Sequence, residues 1–92
     1  MAYNAVTVTD TATLILAANP NRISYFIVNN GSNTIYIGSD TSITTVNALP
    51  ITPGANVDED SGGTKMYMGP IYGIAGVAQS SDIRYWERSE TR

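Results

Sequence analysis

The chain has 92 residues, 42% of them apolar and 14% charged, with a net charge of −3. A chain of that length holds one small core, burying only roughly 60–68% of the surface it exposes when unfolded, and the composition is that of an ordered globular domain. With neither cysteine nor histidine, the chain can hold no disulfide and no thiolate or imidazole metal site, and it lacks the commonest general base near neutral pH.

Its basic residues, Arg22, Lys65, Arg84, Arg88 and Arg92, are scattered and make no stripe for a phosphate backbone, so nucleic acid is not an expected partner. The uncharged stretch from Thr11 to Asn21 is broken by Thr, Asn and Pro, and it falls far short of the roughly 20 apolar residues that span a bilayer. No membrane role is expected. The opening MAYNAVTVTD has neither the positive start nor the apolar run of a secretory leader, which places assembly in the cytoplasm.

No window repeats apolar residues at helical spacing, whereas short β-branched runs separated by Gly, Pro, Asn, Asp and Ser recur throughout. Residues 1–10 form an arm or a first strand, with Val6 and Val8 on one face of a run from Ala5 to Thr9. Residues 11–92 form the domain proper. A second strand runs from Ala12 to Ala18, and Asn19-Pro20-Asn21 turns the chain.

RISYFIVNNGSNTIYIG, residues 22–38, then reads as a β-hairpin, two β-branched and aromatic runs around Asn and Gly residues that tolerate positive φ. Alternation places Ile23, Tyr25 and Ile27 on one face of its first strand, opposite Phe26 and Val28. Tyr25, Ile27, Ile35 and Ile37 are expected to point inward, with Tyr36 opposite the last two.

The long polar segment from Gly38 to Gly63 carries Pro50, Pro53 and Gly54. It is expected to be a loop with edge-strand pieces at Leu49–Ile51 and Ala55–Asp58, ordered by function or by a partner. Further strands are expected at Lys65–Met68, Ile71–Ala75 and Asp82–Arg88. In the last, Ile83 and Tyr85 face away from Arg84, Trp86 and Arg88. The whole is an all-β, single-domain β-sandwich of about seven or eight short strands, with a small jelly roll among its possible forms.

No constellation for catalysis, cofactor binding or metal binding emerges. Asp58-Glu59-Asp60 tempts as an ion site, but neighbouring side chains in an extended chain point to opposite faces and cannot converge on one cation. Ser61-Gly62-Gly63-Thr64-Lys65 lacks the spacing of a phosphate-binding loop. Glu87 and Glu90, near Tyr85, read as surface charges rather than as a hydrolytic pair. The sharper signal is apolar surface that one small core cannot hold. Phe26, Val28, Tyr36, Met66, Met68 and Trp86 are the candidates for a partner interface, where aromatic residues, Met and Arg are enriched.

ANPNRISYFIVNNGSNTIYIGSD, NALPITPGANV, GPIYGIAG and the closing DIRYWE together resemble a family of small virion proteins of tailed bacteriophages. The features shared are an N-P-x-R turn before an apolar strand, Asn-Asn followed by a Tyr-Ile-Gly strand, a proline-glycine loop, an Ile-Tyr strand and a terminal strand. The resemblance spans Ala18 to Glu87. It implies a β-sandwich that decorates or cements the outside of a phage head as a homotrimer on the major capsid protein, located at the virion surface and without a cofactor. Tyr85-Trp86 departs from a plainer aliphatic pair, and Met1 to Asp10 is particular to this chain. The alternative is a fibre or spike module that binds host glycan, for which Tyr36, Asn47 or Trp86 would supply the platform.

Overall fold

The computed structural model describes residues 2–60 and 67–89, with backbone alone at residues 2 and 3. The described strands are β1 (Ala2–Val8), β2 (Thr13–Leu16), β3 (Arg22–Asn29), β4 (Ile35–Gly38), β5 (Leu49–Ile51), β6 (Asn56–Asp60), β7 (Ile71–Ala75) and β8 (Ser81–Ser89). They form two sheets of four, ordered β1-β8-β3-β6 and β2-β7-β4-β5, and every pairing is antiparallel. β4 and β5 make a local hairpin. Outward from it β3 pairs with β6, β2 with β7 and β1 with β8, as one long ribbon whose legs change sheet together. That wrapped ribbon is a jelly roll.

Period-two alternation fills the space between the sheets. Val8, Tyr25, Ile27 and Ile83 come from the first sheet, and Ile15, Leu16, Ile35, Ile37, Ile51, Ile71 and Ala75 from the second. Tyr25, Ile27, Ile35 and Ile37 thus point inward as the alternation requires. Ile23 does not join them. The register of β3 against β8 shifts between Arg22 and Ser24, and this bulge buries Arg22, Ser24 and Tyr25 while leaving Ile23 half-exposed.

The hairpin expected at residues 22–38 is not formed, because β3 and β4 lie in different sheets. Asn29-Asn30-Gly31 carries the chain from one sheet to the other, and it does so without positive φ, which among the described residues occurs at Ala78 and Gly54. Asn29 acts through its side chain. Fully buried, it donates from Nδ2 to the carbonyls of Asn33 and Ile51 at 2.8 and 2.9 Å, and its Oδ1 accepts from Gly31 N–H at 3.1 Å and Ser81 Oγ at 2.6 Å. One amide thereby ties two sheet crossings to the start of β8, with its donors and acceptor all used.

Arg22 ties the other end of the sandwich. It too is fully buried, ion-paired through Nε to Glu87 Oε2 at 2.6 Å, and its remaining nitrogens donate to the carbonyls of Ala17, Tyr67 and Gly69 at 2.7–3.0 Å. Its guanidinium carbon lies 5.6 Å from the centre of the Tyr25 ring. Two chain segments, one at Ala17 and one at Tyr67 and Gly69, meet β8 on one planar fork, which only Arg can offer. Glu87 is therefore a structural partner rather than a loose surface charge, and Glu90 lies outside the described residues.

The remaining expectations divide along the chain. Residues 2–8 take the strand option, as β1. β5, β6, β7 and β8 stand where alternation and Pro placed them, with β5 and β6 as edge strands. The strand expected at Lys65–Met68 is not seen in its described part, where Tyr67 and Met68 are irregular, and Lys65 and Met66 lie outside the described residues. The glycine-rich stretch from Ser61 to Lys65 also lies outside them.

Between β4 and β5 the loop is ordered by its own side chains. Asp40 accepts from Ser42 N–H, and Asn47 Oδ1 accepts from Thr44 N–H at 2.7 Å. Ile43 folds into the space above Gly38 and is itself buried.

Candidate binding faces

Two outer faces remain once the core is filled. On the first sheet, Trp86 of β8 is opposite Phe26 of β3, which is opposite Asp58 of β6; the next row runs Ala5, Arg84, Val28, Asn56. The Phe26 and Trp86 rings are parallel to within 3°, with centroids 6.0 Å apart, the offset arrangement that aromatic quadrupoles favour. Around this pair lies an open depression of about 520 Å³, lined by Asn4, Ala5, Phe26, Val28, Arg84, Tyr85 and Trp86.

Arg84 is fixed at the rim. Its Nη2 lies 2.9 Å from Asp82 Oδ2, and Asn30 Nδ2 donates to the same oxygen at 3.1 Å. These bonds, Arg84 first and Asn30 second, hold the Asp82 carboxyl below its ordinary range.

On the second sheet, Leu14 is opposite Tyr72, and Tyr36 lies between Ile74 and Pro50. All are exposed or half-exposed, so this face is an aliphatic and aromatic strip without a charge in those rows.

The six interface candidates therefore do not make one surface. Phe26, Val28 and Trp86 come together on the first sheet. Tyr36 is on the opposite side of the sandwich. Met68 is exposed in the irregular segment before β7, where its carbonyl accepts from Asn19 N–H at 2.8 Å, and Met66 lies outside the described residues. Tyr36, Asn47 and Trp86 are likewise dispersed, so they cannot form a single glycan platform. Leu14, Tyr72 and Ile74 escaped the sequence reading. Alternation with the buried Ile71 and Ala75 was the signal that would have placed Tyr72 and Ile74 outward.

Asp58 and Asp60 are exposed while Glu59 turns inward, the divergence expected of consecutive residues in a strand. Glu59 stands beside Tyr25, whose phenol is pushed above its ordinary value by burial and by the carboxylate it hydrogen-bonds. Among the described residues no three Asp or Glu side chains are grouped to hold a metal ion.

Compared with known protein families, curated proteins and solved structures, the chain has no match.

Proposed function

We propose that the protein is a non-enzymatic structural component of a phage virion, which binds the outside of the capsid through the outer face of its first sheet and stabilises the head. One observation carries this reading. The Phe26–Trp86 stack and Val28 stand on the outer side of a sheet whose inner side already packs the core. Aromatic side chains centred in a polar rim of Asn56, Asp58 and Arg84 have the layout of a protein interface, in which a few desolvated anchors hold most of the energy. The virion context and the major capsid protein as partner are what the resemblance of residues Ala18 to Glu87 to small phage virion proteins implies.

The test is co-sedimentation with heads of the phage that encodes the protein, stripped of it and then re-decorated. The native protein binds and raises the temperature at which the heads rupture. Trp86→Ala weakens binding by more than about tenfold, the scale of a modest hot spot, while the isolated domain still folds. Equal binding by the variant, or no gain in head stability, overturns the proposal.

A second reading has its own support: Arg84 lines the same depression as Trp86 and Asp58 ends the Trp86–Phe26 row, which gives polar groups beside an aromatic ring, as glycan sites require. A glycan array separates the two, since saturable binding of a defined glycan, lost in Trp86→Ala, would put it ahead.

A further inference from the structure

The direction of the backbone hydrogen bonds decides which sheet edge is open. Asn30 N–H donates to the Asp82 carbonyl at 2.8 Å, so Asp82, and with it Arg84 and Trp86, turns its backbone groups toward β3. The alternate residues Ser81, Ile83, Tyr85 and Glu87 bond to β1, where they meet Val8, Val6, Asn4 and Ala2. The N–H and C=O groups of Tyr3, Ala5 and Thr7 therefore point away from the sheet. Among the described residues no strand lies beyond β1.

The other edges are guarded. β5 has three residues and contains Pro50, which has no N–H. β2 has four and is bulged between Leu14 and Leu16. β6 carries Asp58, Glu59 and Asp60. Short length, proline, bulges and charge are the devices by which sheets avoid edge-to-edge pairing. β1 has none of them. It is seven residues long, AYNAVTV, with no charge, no proline and no glycine, and it keeps an unbroken register against β8.

We infer that two copies of the chain join through β1, antiparallel, with Ala5 on the twofold axis. In that register Ala5 of one copy pairs with Ala5 of the other, and Tyr3 with Thr7 in both directions. These are the very residues whose backbone groups point outward, so each N–H meets a C=O. The occupant must be extended, uncharged and matched to open groups at every second residue, and β1 meets all three demands with its own image. No charge opposes a charge, whereas two β6 edges would set carboxylates against carboxylates. The product is one continuous sheet across both copies, closed by an isologous contact. A trimer, which the phage resemblance implies, would need two different patches that fit each other. The inference stands apart from capsid binding.

Sedimentation velocity on the full chain tests it. The native protein sediments as a dimer. Ala5→Pro removes a donor that faces away from β8 and leaves the Asn4 and Val6 bonds in place. Ala5→Glu sets two like charges opposite each other at the axis, on an exposed side chain. Each raises the dimer dissociation constant by more than about tenfold. Ala5→Lys does the same, and an equimolar mixture of Ala5→Glu and Ala5→Lys regains the dimer, which a mere effect on folding would not produce. Should Ala5→Pro fail to fold, the Glu and Lys pair decides. A native monomer, a native trimer, a dimer that Ala5→Glu leaves intact, or a Glu and Lys mixture that stays monomeric overturns the inference.

Discussion

Arg22 shows how much of a small domain can depend on one side chain. In sequence it is one of several dispersed basic residues, yet in the fold it is fully buried and bonded to Glu87 and to three carbonyls. Removing one member of a buried pair strands the other, at about 3–5 kcal/mol. A domain of this kind has only about 5–15 kcal/mol in hand. Arg22→Ala is therefore expected to lose much of its stability, read as a lower midpoint in urea unfolding. Tyr25, beneath the same guanidinium, gives a pH signature. Burial first and Glu59 second hold its phenol above the ordinary value of 10.0, so in the alkaline range the folded state keeps a proton that the unfolded chain releases. Its contribution is whole below pH 10.0 and is lost as the pH climbs through the raised folded value. Melting temperatures measured from neutral into strongly alkaline solution should fall, and Tyr25→Phe should flatten that fall.

At the scale of elements, two glycines separate two causes of strain. A Cβ on Gly31 would lie 1.9 Å from Ser81 Oγ and 2.7 Å from the Asp82 nitrogen, and Ser81 is held in place by Asn29. Gly54 has open space around it but a φ of +84°. Gly31→Ala should cost about 1–3 kcal/mol through overpacking, and Gly54→Ala about 1–2 kcal/mol from the left-handed backbone alone. Denaturation midpoints for both variants check this, with the further expectation that Gly54→Asn, better tolerated at positive φ, recovers part of the loss while Gly31→Asn does not.

The same crossing explains what the sequence could and could not reveal. The edge strands β5 and β6 were legible from Pro50 and the short apolar pieces, and β7 and β8 from alternation. The outward placing of Phe26, Val28 and Trp86 followed from parity alone. Pairing was not legible, because Asn-Asn-Gly offers either a turn with positive φ or an amide that bridges backbone groups, and only the position of Ser81, far along the chain, selects the second. Arg22 was hidden in the same way. A bulge that shifts parity, and a carboxylate more than sixty residues away, leave no local pattern.

As a whole, the molecule is a slab with Cα extents of 42 × 23 × 16 Å, and its wiring makes β8 the keystone of the first sheet. β8 is the last of the described strands in sequence and a central one in space, lying between β1 and β3. It brings Ile83, fully buried, to the core, Ser81 to Asn29 and Glu87 to Arg22. Without it β1 has no neighbour, β3 keeps only β6, and both buried polar clusters lose a partner. A chain ending at residue 80 should therefore have no cooperative fold, although the second sheet's strands are all present. Pairings so distant in sequence also form late, since loop closure is met before the contacts return anything. The truncated chain is expected to give a far-UV spectrum without a β-sheet minimum and no melting transition. A synthetic peptide of residues 81–92, added in trans, should restore both, because binding of β8 between β1 and β3 supplies the missing contacts and couples to folding of the rest. A truncated chain that melts cooperatively by itself would mean that the second sheet is self-sufficient, against the ribbon order that the pairings define.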